Sequence, residues 1–463
     1  MLRVGAEVLT VGALRPPPTP RLISGTVRRA EPVTSFAPSS GALLVAAWPK
    51  GVTGPASPTS GVVPCGRPAP SSTPAPSSTP GADADEAYAH EARPLPGMEE
   101  VLDRLSDDVR RAQERVWVGT YIYREGKIGH YFAGMFAYAA RRGLDVRVLY
   151  DALGSQRMPR AFVDRMRAHG VDCRPFRPLA AALREGSPFP REHSRIVLFD
   201  DVGYVGGAAW SDEWLPRAWG GEGWREVCCR VRGPATRAMS AAFDHRWRVA
   251  GGETEGDYEC VSAGPAQDVA FVTDTPRPPA LLYDLHRERV RAARHRVWIA
   301  NAYFCPPRGL EDDLREAAAR GVDVRVITPG SSNDLRAIRL AAIARYGRWL
   351  EGGIRVFEYQ PAMFHAKYAL VDDDWATVGT FNLNSTSLRW VNEANFIVRQ
   401  RPFVRQLASV FESDLMGCRE VLPGDYRSHL AGHTLGRLYS AGLDAIDPST
   451  ERPRTAGALP WAR

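Results

Sequence analysis

"PAMFHAKYALVDDDWATVGTFNLNS" spans Pro361 to Ser385 and sets a histidine, a lysine and an aspartate along one apolar run. Strand side chains alternate with period two, so His365, Lys367 and Ala369 are expected on one face. Asp372 closes the run at the turn "VDDD". After a short second strand, Gly379, Thr380 and Asn382 of "VGTFN" bring a small-residue turn and an amide back to the same end. A related stretch, "EHSRIVLFDDVGYVGGAAW", runs from Glu192 to Trp210. There His193 and Arg195 share a face, Asp200 closes the strand, and Gly206 and Gly207 repeat the turn.

The likeness extends well beyond these two stretches. "RRAQERVWVGTYIY" (Arg110–Tyr123) matches "VRAARHRVWIANAYF" (Val290–Phe304), and "RRGLDVRVLYD" (Arg141–Asp151) matches "ARGVDVRVITP" (Ala319–Pro329). Each is a basic helix end followed by a buried strand, the second with glycine at the cap. "FVDRMRAHGVDCRPF" then corresponds to "YGRWLEGGIRVFEY". Val116 to Val297 is a step of 181, Gly143 to Gly321 a step of 178, and His193 to His365 a step of 172. So constant an offset marks an internal duplication, too long for a solenoid repeat. Strands alternating with helices predict an α/β fold with parallel sheets. The expected fold is two fused copies forming a pseudo-twofold pair. Trp117, Trp298, Tyr121 and Tyr303 are read as core or cleft-wall packing.

Around this duplication the chain is ordinary for a folded protein of 463 residues, with 24 % charged and 44 % hydrophobic residues. A net charge of +6 suits phosphates, nucleic acid or an anionic membrane surface without selecting among them. The 7 cysteines form no C-x-x-C pair, which argues against a disulfide framework or zinc ribbon and favours reduced cytosolic thiols. No apolar run reaches the length of a membrane-spanning helix, "GALLVAAW" being far too short. Residues 1–90 are rich in Pro, Ser and Ala and are expected to be a disordered leader. A first domain is expected over 91–255, a second over 265–425, and a C-terminal tail over 426–463.

Two imidazoles, two cations and two small-residue turns related by a pseudo-twofold axis suit a phosphodiester. One neutral histidine attacks phosphorus while the other protonates the leaving oxygen. The cations and turn N–H groups then stabilise the equatorial oxygens. Asp200 and Asp372 are read as structural closures of their turns rather than acid–base groups.

The pattern H-x-K-x4-D, present as "HAKYALVD" and modified as "HSRIVLFD", resembles the signature of the phospholipase D superfamily. The resemblance covers about Met98 to Pro423. Within the superfamily the chain is most similar to bacterial cardiolipin synthases, through "GTYIYREGKIG", "YDALGS", "VGGAAWSDEW", "GWREVCCRVRGPA" and "VGTFNLNSTSLRWVNEAN". It implies a duplicated α/β/α sandwich with the active site between the halves. The implied reaction is a metal-independent, cofactor-free phosphatidyl transfer through a phosphohistidine. The donor would be phosphatidylglycerol or a related phospholipid, and the acceptor the hydroxyl of a second one. A downstream carboxylate orients each histidine in this family. Glu393, 28 positions after His365, suits that role, and Glu226, 33 after His193, is its counterpart.

The first copy departs from the pattern in three places. Arg195 replaces lysine, Ala209 replaces asparagine, and Glu226 replaces the commoner aspartate, so an asymmetric site is expected. The two N-terminal membrane helices common in the family are not found, which favours the shorter, peripheral type, cytoplasmic and bound at the inner membrane surface. One chain suffices for a complete site. The competing readings are a phospholipase D-type hydrolase, a nuclease of the same superfamily and a non-catalytic lipid-binding protein. Against the nuclease, no alternation of stacking aromatics and basic residues marks a strand-binding groove.

Overall fold

A computed structural model of the chain describes residues 90–254, 268–276, 280–425 and 430–447. The expected leader, apart from its last residue, lies outside them. The first half runs β1 (Glu91–Pro96), α1 (Met98–Arg111), β2 (Arg115–Thr120), α2 (Lys127–Arg141), β3 (Asp145–Asp151), α3 (Arg160–Ala168) and β4 (Asp172–Phe176). It continues through α4 (Leu179–Arg184), β5 (Arg191–Glu192), β6 (Val197–Phe199), β7 (Val202–Gly206), β8 (Val227–Arg232) and α5 (Ala235–Val249). The second half opens with β9 (Val269–Asp274), α6 (Leu281–Ala292), β10 (Arg296–Asn301), α7 (Arg308–Ala319), β11 (Asp323–Pro329), α8 (Arg336–Glu351) and β12 (Arg355–Tyr359). There follow β13 (Lys367–Val371), β14 (Trp375–Gly379), α9 (Ser385–Trp390), β15 (Val391–Val398), α10 (Arg401–Leu415), β16 (Cys418–Glu420) and α11 (Leu430–Ala445).

The two sheets repeat one topology. The first is ordered β1-β8-β7-β6-β2-β3-β4; in the second, β15-β14-β13-β10-β11-β12 follow in the same succession, with β9 on β15 where β1 lies on β8. Each is mixed rather than wholly parallel. β2, β3 and β4 are parallel, as are β10, β11 and β12, while the strands after each histidine return as an antiparallel meander. Short turns explain this, because "DD" after β6 and "DDD" after β13 leave no room for a crossover helix.

Local chemistry repeats with the topology. After α2, Gly143 at φ 87° donates to Ala140 O, and Leu144 to Ala139 O. After α7, Gly321 at φ 90° donates to Ala318 O, and Val322 to Ala317 O. This pair of bonds ends a helix on a left-handed residue that glycine adopts without strain. Trp117 Nε1 donates to Asp145 at 2.9 Å and Trp298 Nε1 to Asp323 at 3.0 Å. Arg115 and Arg147 flank the first indole, and Arg296 and Arg325 the second. Both tryptophans stack on the helix that closes their half, Trp117 on Phe243 and Trp298 on Phe411. They are core residues, as read from the sequence.

Three large apolar cores among the described residues hold the layers. One packs α1, α2 and α3 on the outer face of the first sheet, and another packs α6, α7 and α8 on that of the second. The central core joins the inner faces of both sheets to α5 and α10. The result is two fused α/β/α sandwiches. The C-terminal segment expected as a tail contains α11, whose Asp444 and Ser440 bond Arg345 of α8. No described helix is long and apolar enough to cross a membrane.

Candidate active site

Each histidine is carried in by a segment that bonds to the other half. Arg191 and Glu192 pair in parallel with Val391 and Asn392 of β15, and His193 N donates to Asn392 O at 3.1 Å. Reciprocally, Phe364 bridges Arg225, and His365 N donates to Arg225 O at 2.8 Å. Asn392 and Arg225 are the residues just before Glu393 and Glu226. Such an exchange is what a twofold relation between similar surfaces produces. It also corrects the expectation that each histidine and cation share a strand face. β13 begins only at Lys367 and β6 only at Val197, because the preceding residues are hydrogen-bonded across the junction. Arg195 takes φ 40°, a left-handed conformation strained for any residue with a Cβ, and its guanidinium lies against His193.

The carboxylates are exchanged as well. His193 Nδ1 lies 3.0 Å from Glu393 Oε2, and His365 Nδ1 lies 2.8 Å from Glu226 Oε2. Sequence separation pairs each histidine with the glutamate of its own half, and the structure reverses this. At the junction β8 packs on β14 and β15 on β7, so Glu226, just before β8, and Glu393, near the start of β15, each reach the opposite histidine. Arg195 Nη1 stands 3.1 Å from His193 Nε2, and Lys367 Nζ 3.1 Å from His365 Nε2. Six called residues, His193, Arg195, Glu226, His365, Lys367 and Glu393, therefore converge in one buried cluster.

Burial governs their charges. It lowers both histidines well below the usual imidazole value, helped by Arg195 and Lys367 at His193 and by Lys367 and Arg195 at His365. Both rings are therefore neutral at physiological pH. Burial pushes Glu226 up to about 7, against the attraction of Lys367, and Glu393 up to about 8, against hydrogen bonds from Thr380 and Ser387. It also pulls Lys367 down to about 7 and lowers Arg195. Burial thus raises the proton affinity of both carboxylates and lowers that of both imidazoles, which favours a neutral His–Glu pair over an imidazolium–carboxylate pair.

The turns serve this cluster. A Cβ on Gly207 would come within 2.8 Å of His365 Nδ1 and closer still to Glu226, so only glycine fits. Its counterpart, Thr380, instead donates its hydroxyl to Glu393 Oε2 at 2.5 Å. Gly206 and Gly379 lie directly against Cys228 and Asn395, while Asn395 Oδ1 accepts from Thr380 N. Asn382 is buried with Oδ1 unbonded, and at the matching Ala209 an apolar cavity of about 30 Å³ reaches Arg195. Asp200 and Asp372 stand apart, at the opposite ends of their strands. Asp200 accepts from the backbone of Gln113, Glu114 and Arg115, and Asp372 from that of Arg294, His295 and Arg296. Their role is structural.

Several contributors were not among the site residues called from sequence. Tyr121 meets His193 edge-on at 5.1 Å, while Trp214, Trp224 and Tyr303 wall His365 at 5.1, 5.6 and 5.8 Å. The buried pair Asp151–Arg191 fixes the approach to His193, Asp151 also accepting from Glu192 N at 2.8 Å. The stretches "YDALGS" and "SDEW" carry two of these, but their composition does not reveal a role. Among the described residues no group of three or more His, Cys, Asp or Glu side chains is disposed to hold a metal.

The chain is also similar to known proteins. The family model described as cardiolipin synthase, PLD-like domain, matches residues 287–415. The chain is 30 % identical over 360 residues to the probable cardiolipin synthase YwiE of Bacillus subtilis, covering 75 % of this chain and 71 % of that one. It is also 30 % identical over 349 residues to cardiolipin synthase A of Pseudomonas aeruginosa, covering 73 % and 69 %. The crystal structure of phosphatidylserine synthase from Haemophilus influenzae superposes with a TM-score of 0.62 at 14 % identity, covering 76 % of this chain and 94 % of that one, a likeness of fold.

Proposed function

The chain belongs to the phospholipase D-like cardiolipin synthase family and is a phosphatidyltransferase; from that premise we propose a two-step transfer through a phosphohistidine, built on the two exchanged His–Glu pairs. One pair, holding a single proton on Nδ1, offers its Nε2 lone pair to the phosphorus of a phospholipid such as phosphatidylglycerol. The P–N bond forms as the P–O bond to the head-group alcohol breaks. The other pair, holding a second proton, delivers it from Nε2 to the departing oxygen. In the second step the hydroxyl of another phospholipid attacks phosphorus, the P–N bond breaks, and the hydroxyl proton returns to the second pair. Glutamates raised to about 7 and about 8 suit this exchange, because neither proton state is costly near neutrality. Arg195 and Lys367 neutralise the non-bridging oxygens, Arg195 by two donors and Lys367 as a compact charge.

The observation that carries this reading is the reciprocal pairing of His193 with Glu393 and His365 with Glu226. The enzyme is read as peripheral and cytoplasmic, acting on lipid at the anionic inner membrane surface, to which its net charge of +6 is suited. A single chain supplies both pairs, so a monomer suffices. The test is lipid mass spectrometry after incubating purified protein with phosphatidylglycerol vesicles in EDTA. Cardiolipin and glycerol are expected, with loss of roughly 10³-fold or more in His193→Ala and in His365→Ala. Phosphatidic acid as the main product would make the protein a hydrolase, and absence of any lipid product would overturn the reading.

A further inference from the structure

A cleft of about 400 Å³ opens beside His365, between the loop Arg217–Trp224 of the first half and Ser332–Asp334 of the second. It is linked to the reacting groups by Trp224 of its lining and by Tyr303, which is bonded to Asp334 of that lining. Trp224 lies 5.6 Å from the His365 ring, and Tyr303, 5.8 Å from that ring, donates its hydroxyl to Asp334 at 2.9 Å. Met363, which lines the cleft floor, is two residues from His365.

Polar side chains rim this mostly apolar lining and are already partly braced. Arg217 donates from Nε to Glu222 O at 3.2 Å and from Nη2 to Pro361 O at 2.8 Å. Trp224 Nε1 holds Glu222 Oε2 at 2.9 Å, and Asn333 Oδ1 accepts from Leu335 N. Among the described residues Arg217 Nη1, Asn333 Nδ2, the Ser332 hydroxyl and Glu222 Oε1 are left facing the open cleft with no hydrogen bond inside the protein, as are spare lone pairs of Asp334. Donors and acceptors thus alternate around one space. A phosphate only accepts and would face two carboxylates. An ammonium only donates and would face a guanidinium. Adjacent hydroxyls donate and accept together, and match both sets.

We infer that this cleft is the subsite for a glycerol-type polyol, the alcohol side of the transfer, with Glu222 and Asp334 as its selecting acceptors. The inference rests on the phosphatidyl-transfer reading above. The polyol is either the head group of a second phosphatidylglycerol or free glycerol, and separate acceptors distinguish them. The experiment gives the full-length protein phosphatidylglycerol vesicles with equal concentrations of deuterated glycerol, ethanol and ethanolamine, and measures every phosphatidyl product by mass spectrometry. Ratios of products, not total rate, are the readout, so general damage to the site leaves them unmoved.

Glu222→Gln and Asp334→Asn should each lower the ratio of deuterated phosphatidylglycerol to phosphatidylethanol about 10-fold, the scale of one hydrogen bond to a charged acceptor. Ser332→Trp, which fills the cleft, should do the same. A parallel fall in cardiolipin relative to phosphatidylethanol makes the lipid head group the occupant; a fall with free glycerol alone makes the free alcohol the occupant. Unchanged ratios in all three variants would overturn the subsite, as would a fall confined to the ethanolamine product. Failure of the wild type to transfer to any alcohol would instead overturn the reaction on which the subsite depends.

Discussion

Gly207 and Glu393 show how narrowly the centre is built. Gly207→Ala puts a methyl group where Glu226 and His365 meet, and activity should fall at least about 100-fold with a far smaller change in melting temperature. Comparing turnover with thermal unfolding checks it. Glu393 makes a stability prediction. Its pKa rises from 4.5 unfolded to about 8 folded, so between those values the native state keeps a proton that the unfolded chain has released. The stability it contributes is complete below about pH 4.5 and is lost as pH rises to about 8. Relative to wild type, Glu393→Gln should therefore gain about 1.4 kcal/mol per pH unit across that window and level off above it, while losing activity. Denaturant unfolding at stepped pH would show a flat difference if burial does not hold that proton. The six central residues were legible because motif and duplication mark them twice. The partner of each imidazole was not, since separations of 28 and 33 residues favour the same half. Tyr121 and Tyr303 were read as core or cleft wall, but Trp214 and Trp224 escaped, because a tryptophan beside a histidine in space leaves no spacing in sequence.

At the scale of elements, the short segment before β6 is held by a buried ion pair rather than by a strand of its own sheet. Arg191 spends every donor on Asp151 and on the carbonyls of Phe176, Arg177 and Pro188. Asp151→Ala leaves that guanidinium buried and uncompensated, and should cost about 3–5 kcal/mol. Asp151→Leu with Arg191→Met removes both charges and should recover part of the stability but not the activity, because the N–H groups of Leu153, Gly154 and Glu192, the last next to His193, then lose their acceptor. Melting temperature and lipid turnover, measured on both variants, separate the two effects. The paired helices, their glycine caps and the tryptophan strands could all be read in advance, since each is a local pattern. The hairpin after each histidine was legible too, because "DD" and "DDD" are too short for a crossover; the antiparallel pairing of β6 on β2 and of β13 on β10 was not, since it joins strands far apart in sequence. α11 follows a proline-containing break and was missed, its hold on α8 depending on Arg345 far away in sequence.

Across the whole molecule, the halves are interlocked. α5 of the first half packs on β9 of the second, α10 packs on β1, and each sheet sends its glutamate to the other's histidine. Exchange predicts a spectroscopic signature. Glu226→Gln should shift the imidazole ¹⁵N resonances of His365 more than those of His193, and Glu393→Gln the reverse; the opposite pattern would restore pairing within halves. The duplication was visible from the sequence as a nearly constant offset, but not how its two copies face one another, because no residue pattern records an axis. The most direct test of the central claim is to quench the enzyme within milliseconds of mixing with phosphatidylglycerol vesicles, digest it at alkaline pH, and identify the modified peptide by mass. A phosphatidyl adduct on His193 or His365, gone when that histidine is alanine, is the predicted result. Full turnover with no adduct on either histidine, or an adduct elsewhere, would contradict it.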